Sequence, residues 1–292
     1  MEFLSGYGAF QWVATWATPG LDTFFRVVTD MGSHTLYYLV CAPLFWVVDR
    51  RRASVLFLLI MVSAYVNTAA KLGFDTPRPD PALARVIDLR PFQAHNPSFP
   101  SGHTQGAVVF WSFIALWVAR RWVSALCVLM IALISFSRIY LAAHFPIDVI
   151  GGLILGATIL LIAPRQLARW ADRDFEASTA LIAVALLVSL AATLLSGDPS
   201  LALLSGCFLG FFLGTVWLPQ PVLGWGSMAQ RVTAVVVGFV IFAPIAGFLE
   251  KLTDRPLVLF LAVSALWVST LWAYPYALAR ILPAPATAPA LE

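Results

Sequence analysis

The sequence predicts an all-α fold, a polytopic bundle of transmembrane helices, and three observations carry that prediction. Of the 292 residues, 60% are hydrophobic and only 11% charged, with a mean hydropathy of +0.85; a soluble domain carries about a quarter charged residues. The apolar residues fall in long runs, several approaching the ~20 residues a helix needs to cross a bilayer. Charges collect in short clusters between those runs, as they do in membrane-flanking loops. The net charge of +3 is spread among loops and gives no support to a nucleic-acid partner.

Taken in order, residues 4–17 mix Phe, Trp and Tyr with Ser, Gly and Gln before Pro19-Gly20. That mixture fits a helix lying in the membrane interface, and residues 22–32 continue it, with Asp22, Arg26 and Asp30 too close together for a buried span. The first span is expected from His34 to Val48, ending at Asp49-Arg50-Arg51-Arg52, and the second from Ala53 to about Ala70, leading into Lys71. From Asp75 to Pro100 the chain is polar and rich in proline, which removes amide donors and resists helix. A long loop outside the hydrocarbon is expected there, of the kind that is often functional. Further spans follow at about 102–119, 122–141 and 148–163.

A polar patch holding Arg165, Arg169, Asp172, Arg173, Asp174 and Glu176 comes next, and then apolar runs at about 177–195, 200–218, 232–249 and 256–275. The total is about nine spans, some of them short of the ~20-residue requirement. The expected organisation is N-terminal interfacial helices over 1–32, a core over 33–165, a C-terminal transmembrane extension over 166–280 and a disordered tail over 281–292. Cys41, Cys127 and Cys207 each lie inside an apolar run; their odd number and wide spacing argue for core hydrophobes and not a disulfide framework. No cleavable signal peptide is expected from the start, Met1 to Gly6, which lacks a basic segment before a short apolar run.

Orientation follows from basic residues. Arg50–Arg52, Arg120–Arg121 and Arg165, Arg169 and Arg173 fall on alternate turns, which the positive-inside rule assigns to the cytoplasm. Lys71, Arg78, Arg85, Arg90 and Arg138 then lie on the opposite side, where cations need another reason to be. An anion-binding site supplies it.

Three clusters converge on that side. The first runs from Lys71 to Arg78-Pro79, the second is Pro100-Ser101-Gly102-His103, and the third runs from Ser137-Arg138 through His144 to Asp148. His144 and Asp148 are four residues apart, so a helical turn sets them on one face. The carboxylate can there fix the imidazole tautomer and leave the other nitrogen free to attack. Capping of the following span by Asp148 is the plainer alternative. Arg138 can grip phosphate bidentately or simply snorkel to the interface, and Lys71 has the same two readings. Ser101 and Gly102 open a helix whose free amides favour an anion, while His103 is placed to protonate a leaving alkoxide. Seen singly, each cluster has a bland account as a cap or interfacial side chain. Together they equip one membrane face for phosphoryl transfer. His34 reads as interfacial, and His95 as a lesser candidate for touching substrate. No cluster carries the carboxylates expected of a Mg²⁺ site, so neither metal nor cofactor is expected.

The pattern Lys-x6-Arg-Pro, then Pro-Ser-Gly-His, then Ser-Arg-x5-His-x3-Asp resembles the three-part signature of the type-2 phosphatidic acid phosphatase superfamily, without substitution at any signature position. The resemblance covers about residues 30–163 and implies a metal-independent phosphatase core, with the C-terminal transmembrane helices as an addition. It implies that His144 is the nucleophile forming a phosphohistidine, Asp148 its orienter, and His103 the general acid and then base. Lys71, Arg78, Ser101, Gly102 and Arg138 would hold the phosphoryl group. Pro79, Arg85, Arg90 and His95, in the loop between the first two motifs, are the candidates for headgroup selectivity. Expected partners are a lipid phosphate and membrane lipids, with dimerisation one account of the extra helices. The expected location is a membrane, a bacterial inner membrane in particular, with the site on the periplasmic or extracellular face. Alternatives are a soluble sugar phosphate as substrate (glucose-6-phosphatase is a multi-span relative of similar topology), transfer to another acceptor, and a non-enzymatic phospholipid transporter.

Overall fold

Helices carry the fold of the described residues. A computed structural model describes residues 6–83, 97–171, 187, 189–191, 193–195, 197–218, 223, 227–249 and 255–281, and the regular elements among them are all helical. In chain order these are α1 (Gly8–Ala14), α2 (Pro19–Asp30), α3 (His34–Val47), α4 (Arg50–Phe74), a 3₁₀ turn (Pro81–Leu83), α5 (Gly102–Val118), α6 (Arg121–Tyr140) and α7 (Pro146–Ala171). Then come α8 (Pro199–Phe212), α9 (Met228–Leu249), α10 (Pro256–Val268) and α11 (Tyr274–Ile281). Short π-helical stretches continue α8 through Leu213–Trp217 and join α10 to α11 through Ser269–Ala273.

Four described helices are long and apolar enough to cross a membrane: Arg50–Phe74, Arg121–Tyr140, Met228–Leu249 and the continuous Pro256–Ile281. The protein is an integral membrane protein. Shorter apolar helices occupy His34–Val47, Pro146–Ile162 and Leu201–Thr215, where the sequence led us to expect full spans. At about 1.5 Å per residue, the 14 residues of α3 rise about 21 Å, less than a ~30 Å hydrocarbon core. The expected run at 177–195 lies largely outside the described residues, as does the tail.

The chain forms two compact units, Met1–Tyr38 with Val55–Ala168, and Leu39–Ser54 with Arg169–Glu292. In the first, α1 and α2 pack on α6: Val13 and Phe25 are buried with Tyr140 and Leu141, and Trp16 stacks on Phe136. The Thr18 side chain caps α2, with Pro19 at its first position, where a missing N–H costs nothing. Helices α5 and α7 meet closely because glycine removes the side chain between them. A β-carbon at Gly152 would stand 2.7 Å from the Ser101 carbonyl oxygen, and one at Gly156 2.9 Å from that of Gln105.

Between α4 and α5 lies a buried polar clamp. Asn67 donates to Gln105 Oε1 at 2.9 Å, and Gln105 Nε2 donates to the Ser63 carbonyl at 2.8 Å and hydroxyl at 3.1 Å. In the second unit α8 lies against α10 through Gly206, Gly210 and Gly214, with Trp267 Nε1 donating to Cys207 Sγ at 3.1 Å. Trp46 Nε1 donates to the Thr270 carbonyl at 2.8 Å. All three cysteines are free and buried.

Candidate active site

Helix ends build the site. Lys71 stands in the last turn of α4, Ser101 is the N-cap of α5, Arg138 is in the last turn of α6, and Asp148 is in the first turn of α7. Two loops bring them together. Ser98 N–H donates to the Thr76 carbonyl at 2.8 Å and Phe99 N–H to the Thr76 hydroxyl at 2.9 Å. The Lys71 ammonium also donates to the Pro97 carbonyl, so the first motif is laced to the approach to the second. Ser101 N–H then donates to the Asp148 carbonyl at 3.0 Å, which joins the second motif to the third.

After α6 the chain reverses. Ala142 takes a left-handed conformation, φ 52°, a cost for any residue with a β-carbon. The Arg138 carbonyl accepts from the N–H groups of both Ala143 and His144, at 3.0 and 3.2 Å. That turn returns His144 to the side of Arg138.

His144, Asp148 and Arg138 are buried, with 2%, 2% and 3% of their surfaces exposed. Asp148 Oδ2 lies 3.4 Å from His144 Nδ1 and accepts from Phe145 N–H at 2.8 Å and from Ser98 Oγ at 2.5 Å. Ser98 Oγ is itself 3.3 Å from Nδ1. On the other side of the ring, Nε2 is 3.4 Å from Arg78 Nη1, which also donates to the Ala143 carbonyl at 3.0 Å. A guanidinium has donors only, so the nitrogen facing it carries the lone pair. Nδ1 faces a carboxylate and a hydroxyl already donating to that carboxylate, so it carries the proton. Burial, and after it the positive charges of Arg78, Arg138 and Lys71, holds the imidazole well below its ordinary pKa. His144 is therefore neutral at neutral pH.

Arg138 Nη1 donates to the Thr29 hydroxyl at 2.6 Å, whereas its buried Nε has no partner among the described residues. The Ser101 hydroxyl, fully buried, accepts from Thr104 Oγ1 at 3.1 Å and, weakly, from Thr104 N–H at 3.5 Å; its own proton is left to donate. A β-carbon on Gly102 would meet Asn67 Oδ1 at 3.1 Å. His103 is half-buried, within electrostatic reach of Arg138, Arg78, Lys71 and His144. Pro79 is buried. Arg85, Arg90 and His95 lie outside the described residues. No group of three or more His, Cys, Asp or Glu among the described residues is arranged to hold a metal ion.

Sequence reasoning missed Ser98, Thr29 and the Asn67–Gln105–Ser63 clamp. Ser98 had one faint signal, a hydroxyl three residues before Ser101 in a stretch that must be extended because of Pro97 and Pro100.

The family model described as PAP2 superfamily matches residues 52–172, the segment that holds all three clusters. Over that segment the chain is similar to the PAP2 superfamily. It is 29% identical over 153 residues to lipid phosphate phosphatase delta of Arabidopsis thaliana, covering 48% of this chain and 37% of that protein. To glucose-6-phosphatase 3 of Mus musculus it is 29% identical over 171 residues, 50% of this chain and 49% of that one. The chain thus spans less than half the length of either relative. Among solved structures, LpxE of Aquifex aeolicus is similar at a TM-score of 0.47 and 29% identity, over 53% of this chain and 92% of that one. Thr29 and the rest of α1–α3 precede the PAP2 segment.

Proposed function

We propose that this protein is a membrane phosphatase of the PAP2 type that hydrolyses a lipid phosphomonoester or pyrophosphate through a phosphohistidine. The observation that carries the reading is the setting of His144. Its Nδ1 is held by Asp148 and Ser98, and its lone-pair Nε2 faces Arg78.

In the proposed first step Nε2 attacks phosphorus, and the bond from phosphorus to the leaving oxygen breaks. His103 gives that oxygen a proton. Asp148 stabilises the positive charge that grows on the ring. Lys71, Arg78 and Arg138, with the Ser101 hydroxyl and the Gly102 amide, carry the charge on the equatorial oxygens. In the second step His103 takes a proton from water, which attacks phosphorus; the bond to Nε2 breaks and inorganic phosphate leaves. In this reading every step uses groups of this chain and water, and no step requires a metal ion.

The lipid class is supported by the membrane setting and by similarity to a lipid phosphate phosphatase. An outward-facing site is supported by Arg50–Arg52 and Arg120–Arg121, which lie at the opposite ends of α4, α5 and α6 from Lys71, Ser101 and Arg138. We assign the hydrolytic core to about residues 33–165 and treat the helices beyond as an extension. A soluble sugar phosphate is the second reading, supported by the similarity to glucose-6-phosphatase 3.

The test is phosphate release by purified protein in detergent with EDTA. Substrates would be a prenyl pyrophosphate, phosphatidic acid, phosphatidylglycerophosphate, a sphingoid phosphate and glucose 6-phosphate, each also run with His144→Ala. The reading expects EDTA-resistant release from a lipid, an acid-labile phosphoenzyme, and neither in the variant. Release only from glucose 6-phosphate would favour the second reading. A phosphorylated acceptor without free phosphate would mean transfer, and binding without chemistry would mean transport.

A further inference from the structure

We infer that the N-terminal helices, which precede the PAP2 segment, are part of the phosphate-binding machinery, and that Thr29 is the positioning residue that sets Arg138. The inference rests on the phosphatase reading above for its substrate, phosphate, and on separate geometry for its mechanism.

Arg138 is almost wholly buried, and a buried guanidinium whose direction is not imposed from outside can turn away from an anion at little cost. Its Nη1 is held by the Thr29 hydroxyl at 2.6 Å. Thr29 is buried near the C-terminal end of α2. With one Nη1 hydrogen tied back, the buried and unpartnered Nε is among the donors that remain for an oxygen in the site. The charge of Asp30, the next residue, also acts on Arg138. A single hydroxyl thus fixes which edge of the fork serves the ligand.

Three further attachments hold Thr29 where it must be. Tyr140 donates its phenolic hydrogen to Asp22 Oδ1 at 2.7 Å, tying the first turn of α2 to the end of α6. At the other end of α2, Gly32 sits so close that a β-carbon would stand 2.5 Å from Ile134 Cγ2 and 3.4 Å from the His103 ring. The rings of Tyr7 and Phe10 pack on Phe145, the residue after His144, with centroids 5.8 and 5.6 Å apart. One N-terminal segment therefore bonds Arg138, lies beside His103 and packs on the neighbour of His144. An interfacial anchor alone would need none of these.

The test measures binding as well as turnover. The probes are inorganic phosphate and orthovanadate, read both as protection against thermal unfolding and as inhibition of hydrolysis, in full-length protein. Thr29→Val should weaken both probes about ten- to a hundredfold, as loss of a hydrogen bond to a charged group does. Thr29→Ser should restore most of the affinity. In an Arg138→Ala background, Thr29→Val should have no further effect, because its only route to the ligand is gone. If Thr29→Val folds poorly, Thr29→Ala, which adds no atom, carries the same expectation. Wild-type affinity in Thr29→Val, or losses that add independently in the double variant, would overturn the inference. Binding that behaves as expected in a protein without hydrolysis would instead sink the phosphatase reading and leave the role of Thr29 standing.

Discussion

Ser98→Ala gives the sharpest test of how His144 is held. Asp148 Oδ2 and His144 Nδ1 are 3.4 Å apart, long for a direct hydrogen bond. Ser98 Oγ lies 2.5 Å from the carboxylate and 3.3 Å from the imidazole, so the hydroxyl is a third member of the arrangement. Removing it deletes one hydrogen bond to a charged acceptor, a contribution of about 1.5–3 kcal/mol. If the bond is made in full only as charge develops on the ring, then at about 1.4 kcal/mol per factor of ten kcat falls about ten- to 150-fold.

A compensating effect pulls toward the lower figure. Without Ser98 the carboxylate keeps the Phe145 N–H at 2.8 Å, and the vacated space lets Nδ1–H close on Oδ2. We therefore expect a loss of about tenfold in kcat, little change in KM, and recovery in Ser98→Thr. The assay is a rapid-quench measurement of phosphoenzyme formation in a single turnover, which isolates the step that Ser98 serves. Wild-type kinetics in Ser98→Ala would refute the reasoning, and so would a rise in KM alone, which would mean that Ser98 binds substrate and does not orient the nucleophile.

Two further outcomes are expected. Because burial and nearby cations lower the His144 pKa, the attacking neutral form persists as pH falls through the ordinary imidazole value of about 6.5, so phosphoenzyme formation should hold its rate below that pH; an acid limb at or above it would contradict the assignment. Gly152→Ala would set a methyl 2.7 Å from the Ser101 carbonyl oxygen and 3.0 Å from Thr104 Cβ, and since a helix backbone cannot rotate aside, a loss of about 1–3 kcal/mol is expected. Gly247→Ala, with nothing within 4 Å, is the control and should leave the melting temperature unchanged or raise it.

The three clusters were legible in the sequence because charge in an apolar context is expensive and therefore conspicuous. Lys71, Arg138, His144 and Asp148 stand out for that reason, Arg78 by following Lys71 in the first motif, and the structure brings them together. Helices α4 to α6 were legible too, within about four residues, since their apolar runs end at charged residues, Pro or Gly, whereas α7 continues to Ala171, past the expected end near 163. What stayed hidden was the neutral polar support. Thr29 reads as one more residue of an interfacial helix, and its partner lies 109 positions away. Gln105, Asn67 and Ser63 sit inside apolar runs with no local pattern to mark them, and their clamp closes over 42 and 38 positions. Hydroxyls and amides are cheap enough to occur anywhere in a membrane helix, so only the fold shows which of them are paired with one another.

Charge balance explains why so much support is needed. Among the described residues the site gathers Lys71, Arg78 and Arg138 against one buried carboxylate, Asp148, with exposed Asp30 behind Arg138. Cations packed this closely with little water repel one another, and side chains as long as Lys and Arg would relieve that repulsion by turning outward. Each is instead tethered by a neutral acceptor: Lys71 by the Pro97 carbonyl, Arg78 by that of Ala143, and Arg138 by the Thr29 hydroxyl. A neutral acceptor fixes direction without cancelling charge, which a carboxylate partner would do. The excess positive charge is therefore preserved for the ligand, and a phosphate dianion complements it, opposite in sign and equal in size. The same balance makes inorganic phosphate, the final product, a competent ligand of the resting site, so product inhibition should weaken in step with affinity when any one of the three tethers is removed.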